Sequence, residues 1–333
     1  MIDKIRKMQQ EIEFSGTLMV KDETGVLTEA AFGHANRAVG ADNKISTRFG
    51  IASGCKIFTA VAVCQLAEAG KLKLDDRIKN LLDYNFPYFD DKVTVHHLLT
   101  HTSGVPDYFD EAVMDDFEEL WEKTPVYLLR SLEDFLPLFQ NGEMMFNPGD
   151  RFHYNNGGYI LLGLIVESVS GMKFVDFIEQ NVFGKAGMER SGYFELDRLP
   201  EDTANGYIQE EDGKWRTNIY SIPVKGGADG GAFTTAGDII RFWEALTNFE
   251  LLDERMTGQL FTLHAHEDEE TGYGYGLWMN IKDEEVDKYY IMGFDPGVNF
   301  LSVHRPDRSV KVAICSNHDD GAFDIFSVIE ENL

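Results

Sequence analysis

β-Rich segments lie at both ends of this chain and helical patterns fill the span between them, which restricts the fold more than any other feature. Near the start, Gly16-Thr17-Leu18-Met19-Val20 and Val26-Leu27-Thr28 read as two strands around a turn carrying Asp22 and Gly25. In the last sixty or so residues, the runs 273–279, 286–292, 298–303 and 310–315 are rich in β-formers. They are split by turn-forming stretches, among them Asp295-Pro296-Gly297 and Pro306-Asp307-Arg308, so an antiparallel meander is expected. A sheet assembled from both termini requires the middle of the chain to be an insertion. The expected fold class is therefore α/β (α+β): an antiparallel sheet flanked by helices, with an inserted helical domain. Residues 1–75 and 200–333 are assigned to the sheet domain and 76–199 to the helical one.

The helical patterns are distinct. The first fifteen residues carry apolar positions at helical spacing among charges, an amphipathic helix. Between residues 56 and 69, Ile57, Val61, Cys64 and Ala67, together with Phe58, Ala62 and Leu66, make a broad apolar stripe, and Gly70 follows as a C′ residue. The run 159–169 is apolar almost all round, as in a buried helix. Further helices are expected through 238–246 and after Asp319.

Charge and cysteine content narrow the function. Thirty Lys and Arg against 57 Asp and Glu leave a formal charge of −27. Such a surface repels phosphate, so neither nucleic acid nor anionic membrane is an expected partner. Cys55, Cys64 and Cys315 lack metal-binding spacing and sit in or beside apolar runs, as buried core residues do. The N-terminal stretch has no apolar signal-peptide core and no run of eighteen apolar residues occurs, so a cytoplasmic location is expected.

Ser53-Gly54-Cys55-Lys56 opens the first long helical pattern. Residues three apart share a helix face, so the Ser53 hydroxyl and the Lys56 amine can meet. A neutral lysine can take a serine proton, and the free N–H of Ser53 in the first turn can face a developing oxyanion. Alone, Ser-x-x-Lys is a weak signal. It recurs as Ser170-Gly171-Met172-Lys173, where Ser170 reads as a turn residue or the N-cap of a following helix, and a cap is also open for Ser53.

The text around Ser53 carries more. Phe49-Gly50-Ile51-Ala52-Ser53-Gly54-Cys55-Lys56 is followed by Gly70-Lys71-Leu72-Lys73-Leu74-Asp75-Asp76, by Leu98-Leu99-Thr100-His101-Thr102-Ser103-Gly104, and by Tyr154-Asn155-Asn156 before Gly158-Tyr159. Then come Ala204-Asn205-Gly206-Tyr207, the glycine-rich run 226–231 with Asp238, and Tyr273-Gly274-Tyr275-Gly276. In this order the motifs resemble the serine β-lactamase and penicillin-binding-protein family, in the branch of class C β-lactamases and their esterase and D-aminopeptidase relatives. The resemblance implies a β-lactamase/transpeptidase-like fold. It also implies that Tyr154 shares a proton network with Lys56, and that Asn156 orients Lys56 and donates to substrate. Without it, Tyr154 reads as a buried aromatic and Asn156 as a turn residue.

The third motif of the family, Lys-Thr-Gly or His-x-Gly, falls on Ile291-Met292-Gly293 followed by Phe294-Asp295-Pro296-Gly297. Gly293 lets a substrate approach the strand, and the Phe294 N–H can complete an oxyanion hole. Ile291 replaces the expected cation, so an apolar wall is expected there and carboxylate recognition is not.

Other signals are weaker. No Gly-x-Ser-x-Gly elbow is present; His97 and His101 lack the His-Glu-x-x-His form; His264 and His266 read as part of an exposed acidic loop. The expected activity is acyl transfer to water through an acyl-enzyme, on a small ester, amide or peptide, with no metal or organic cofactor. A true β-lactamase or D,D-carboxypeptidase, and a binding protein of this fold with little turnover, are the alternatives.

Overall fold

Both terminal β-rich segments do join one sheet. The structure, a computed structural model, describes residues 1–114 and 116–333. Eight antiparallel strands form the main sheet: β1 (Gly16–Asp22), β2 (Gly25–Phe32), β3 (Ala265–His266), β4 (Thr271–Tyr273), β5 (Trp278–Lys282), β6 (Glu285–Asp295), β7 (Val298–Arg305) and β8 (Val310–Ser316). Their order is β2-β1-β8-β7-β6-β5-β4-β3. Gly16 of β1 lies between Phe32 of β2 and Ser316 of β8, which splices the two ends of the chain into one surface.

Alternation along the strands sorts side chains to two faces. Leu18, Val20, Leu301, Val303, Val312 and Ile314 pack on one face, under α1 (Ile2–Glu11) and the C-terminal helix Ala322–Glu330. The other face carries α2 (Lys56–Glu68) and, beyond it, α3 (Asn156–Ser170), with α4 (Ala236–Thr247) lying across β1 and β8. One apolar core runs from this face through the helical middle of the chain. Helix α2 is sandwiched there: ten of its thirteen residues are buried, on all sides rather than along one stripe.

Three local expectations need revision. The run 273–279 is not one strand but β4 and β5 around a turn at Gly276, where φ is +75°. A Cβ on Gly276 would stand 2.9 Å from the Lys56 carbonyl oxygen and 2.7 Å from the Ala60 methyl, so the turn exists to seat the sheet edge on α2. Ser170 is the last residue of α3 and caps no following helix; Glu167 does, accepting the Phe174 N–H at 2.9 Å. Ser53 precedes the α-helix, in a 3₁₀ turn over Ala52–Cys55. Among the described residues, no helix is long and apolar enough to cross a membrane.

Candidate active site

Ser53 stands on a tight connection between the short strand Phe49–Gly50, which pairs with Phe233–Thr234, and α2. Ala52 adopts φ +44°, the left-handed region unusual for a residue with a Cβ, so the chain is bent sharply just before the serine. In a 3₁₀ turn residues three apart eclipse each other. The geometry thereby lays the Lys56 chain under the Ser53 hydroxyl, with Nζ 2.9 Å from Oγ.

Lys56 is only 2% exposed, yet its amine is fully engaged. Nζ donates to Asn156 Oδ1 at 2.7 Å and to the Asp229 carbonyl at 2.7 Å. The orientation of the Asn156 amide is fixed by its other end, where Nδ2 faces the Phe109 carbonyl at 3.2 Å and Glu111 Oε1 at 3.4 Å. Oδ1 and the Asp229 carbonyl accept only, so two N–H groups of the amine are committed to them and the remaining position of Nζ faces the Ser53 hydroxyl.

Tyr154 completes this cluster. Its ring lies 4.8 Å from Lys56 Nζ, and Tyr154 and Ser53 border the same cavity. Burial, reinforced by the Glu111 charge, holds the phenol well above the usual tyrosine range. The group is a neutral phenol. His101 at 4.5 Å and Trp278 at 5.9 Å flank the ring. The His101 tautomer follows from its partners: the Asn155 N–H donates to Nδ1 at 3.0 Å, so Nε2 carries the proton and donates to the Tyr273 hydroxyl at 3.1 Å. Burial first, then the Lys56 charge, keeps this imidazole neutral.

A second layer of acids holds the backbone in place. Asp107 receives the N–H groups of Asn156 at 2.6 Å and Gly157 at 2.8 Å, anchoring the start of α3 that presents Asn156. Burial outweighs those bonds and pushes its carboxyl up to about 7. Asp229 accepts the Tyr108 hydroxyl, and burial raises its carboxyl as well, against the pull of Lys56.

Gly293 of β6 faces the serine turn so closely that a Cβ would lie 2.1 Å from the Ile51 carbonyl oxygen and 2.9 Å from the Ser53 nitrogen. The neighbouring Phe294 and Ser53 both border the cavity in front of the hydroxyl. Ile291 lies on the same sheet face as Gly293 but only 2% exposed, within the apolar core, and lines neither compartment described below. It contributes no charge to the site, and its side chain is not a wall of it.

Two compartments meet at Ser53, Glu111 and Phe294. One, about 310 Å³, is lined by the aromatic residues Tyr108, Phe109, Phe117 and Phe135 and by Gly226, Gly227, Asp229, Gly230 and Gly231 of the glycine-rich run. The other, about 430 Å³, is bordered by Tyr154, Trp278, His153 and Glu267. Among the described residues, no group of three His, Cys, Asp or Glu is placed to hold a metal ion.

A family profile described as Beta-lactamase matches residues 3–327. The chain belongs to that family. This β-lactamase-family chain is 28% identical over 322 residues to penicillin-binding protein 4* of Bacillus subtilis, covering 92% of this chain and 69% of that protein. A penicillin-binding protein from Bacillus halodurans superposes with a TM-score of 0.96 at 52% identity, over 99% of this chain and 100% of the other. A D-amino acid amidase from Ochrobactrum anthropi SV3 shares the fold, with a TM-score of 0.82 at 20% identity over 100% of this chain and 98% of its own. As a member of the family the protein is a serine hydrolase of acyl compounds.

Of the residues expected from sequence, Ser53, Lys56, Tyr154 and Asn156 come together, Gly293 and Phe294 adjoin them, and Ile291 stands apart. From sequence His101 reads as a loop histidine satisfied by its neighbours, and both its ring nitrogens are indeed paired, but the sequence does not anticipate its place against Tyr154. Sequence reasoning misses Asp107, Asp229 and Trp278, although Asp107 and Asp229 lie beside or in motifs already conspicuous in the sequence, the Thr-His-Thr-Ser-Gly loop and the glycine-rich run. Trp278 had no local signal.

Proposed function

We propose that this enzyme hydrolyses small esters or amides by acyl transfer to Ser53. Lys56 takes the proton of the Ser53 hydroxyl as Oγ attacks the carbonyl carbon. The N–H groups of Ser53 and Phe294 hold the oxyanion, and Gly293 gives the substrate room beside them. Tyr154, neutral and bordering the same cavity as Ser53, passes a proton to the departing oxygen or nitrogen as the tetrahedral adduct collapses to the acyl-enzyme. Water then attacks that ester by the reverse proton route and frees Ser53. Asn156 holds Lys56 in line throughout.

The observation that carries this reading is the placement of the Lys56 amine, 2.9 Å from the Ser53 hydroxyl and anchored by Asn156 Oδ1 and the Asp229 carbonyl, so that a deprotonated Nζ would turn its lone pair to that hydroxyl. A relative that is a D-amino acid amidase supports amides alongside esters as substrates. Treating the protein with a neutral fluorophosphonate and mapping the adduct by mass spectrometry tests the assignment. Labelling of Ser53 alone, abolished in Ser53→Ala, is the expected result. Labelling at Ser103 or Ser170, or none at all in active protein, overturns it.

A further inference from the structure

Five consecutive residues, 107 to 111, each bond to a residue in or beside the reacting cluster. Asp107 accepts the N–H groups of Asn156 and Gly157. The Phe109 carbonyl and Glu111 Oε1 accept from Asn156 Nδ2, and Asp110 pairs with His153, the neighbour of Tyr154, at 3.0 Å. Tyr108 reaches the other way and donates its hydroxyl to Asp229 Oδ2. Lys56 Nζ rests on the Asn156 side-chain oxygen and the Asp229 main-chain carbonyl, so both of its acceptors are tied to this one segment. The segment is neither helix nor strand, and these bonds hold it where no ladder does. Asp229 is held in a similar way. It carries the one polar side chain of residues 226–231, the others being glycines and Ala228, and outside that run its carboxyl is bonded to Tyr108.

Resting on Ser53 as nucleophile and Lys56 as base, we infer that segment 107–111 is a strap that couples binding of the acyl group to placement of the Lys56 amine, with Tyr108 as its positioning residue. Tyr154, which protonates the leaving group, borders the 430 Å³ compartment and not the 310 Å³ one, so the acyl group lies in the smaller. Tyr108 and Phe109 border that smaller compartment, while the bonds of the same two residues run on to Asp229 and Asn156. An acyl group that fills the compartment packs against the strap and restricts it, and both acceptors of Nζ are restricted with it. Because a misplacement of ~1 Å at a reacting centre costs on the order of 100-fold in rate, filling the compartment raises the rate of the chemical step and not only the affinity. The Tyr108 hydroxyl is committed to Asp229 and acts through it. Without that hydroxyl, a carboxyl on a residue 5% exposed loses its donor, and the carbonyl of the same residue is free to drift from Nζ.

Single-turnover kinetics with enzyme in excess separate the substrate dissociation constant from the acylation rate, here for p-nitrophenyl acetate and p-nitrophenyl phenylacetate. Each acylation rate is divided by the rate of that ester with hydroxide, which removes intrinsic reactivity. In the native protein the corrected rate is expected to be about tenfold or more higher for the phenylacetate. Tyr108→Phe keeps the ring against the compartment. It should lower the phenylacetate rate about tenfold, bring the two esters within about threefold of each other, and move the dissociation constant by less than about threefold. On an Asp229→Ala background the same substitution should lower the rate no further, since its route is already gone. Circular dichroism establishes that folded chains are compared, and the two esters on the native protein decide the matter should a variant not fold. Equal corrected rates for the two esters in the native protein, a Tyr108→Phe loss that falls on the dissociation constant, or additive losses in the double variant overturn the inference while fluorophosphonate labelling of Ser53 stands. Absence of that labelling, read independently by mass spectrometry, overturns the reading of Ser53 and the inference with it.

Discussion

Replacing Gly293 by alanine puts a single methyl group between the oxyanion strand and the nucleophile. Its carbon would sit 2.1 Å from the Ile51 carbonyl oxygen, 2.7 Å from the Gly54 nitrogen and 2.9 Å from the Ser53 nitrogen, where ordinary contact begins at 3.4 Å. All three atoms are backbone, so no side chain can swing aside. Strand β6 and the serine turn must part by about 1 Å, and a displacement of ~1 Å at a reacting centre costs on the order of 100-fold in rate. The same overpacking destabilises by about 1–3 kcal/mol. At roughly 2–4 °C per kcal/mol, or less for a chain of this length, Tm falls by a few degrees. The assay is the rate of p-nitrophenyl ester hydrolysis and of fluorophosphonate labelling, each beside a thermal melt. Gly258→Ala is the control, because nothing lies within 4 Å of a Cβ there and the residue sits in the helix Glu254–Leu260. It should match wild type in rate and gain up to ~1 kcal/mol from helix propensity. If Gly293→Ala keeps its rate within threefold and its Tm unchanged, strand β6 does not press on the serine turn as described.

Lys56→Met should lower turnover at least ~100-fold on every substrate, the usual contribution of a positioned general base. Tyr154→Phe should act more strongly on amides than on p-nitrophenyl esters, whose leaving group departs without a proton; equal losses on both would remove Tyr154 from leaving-group protonation. A third test concerns acid stability at His318, which is 4% exposed. Its Nε2 must accept from Arg37 Nη2 at 3.0 Å, because a guanidinium only donates. Burial, then the Arg37 charge, depresses this imidazole to about 4, so its contribution is complete above the unfolded value of ~6.5 and lost as pH falls toward 4. Between pH 7 and pH 5 the native protein should therefore lose about 1–2 kcal/mol more than His318→Gln in denaturant titrations. Parallel losses in the two proteins would show that His318 does not titrate on unfolding.

Local chemistry was readable without any structure. Alternating apolar residues mark β7 and β8, turn residues separate them, and the spacing of Ser53 and Lys56 places two side chains together whether the turn is α or 3₁₀. Each of these depends on neighbours within a few positions, which is the range over which periodicity and backbone sterics operate. What the folded chain alone decides is long-range. Asn156 reaches Lys56 across one hundred positions, and the carbonyl of Asp229 arrives from still further. The tautomer of His101 and the neutrality of Tyr154 arise from burial, which no local pattern expresses. Ile291 shows the same division. Its position in the third motif is legible in the sequence, but its withdrawal into the core depends on how the sheet meets α2. The carboxyl of Asp295, two residues from Gly293 on the same strand face, looks like an ordinary turn acid until the fold sets it beside Asp229 and Glu111 at the mouth of the serine cavity, because charge acts through space and not along the chain.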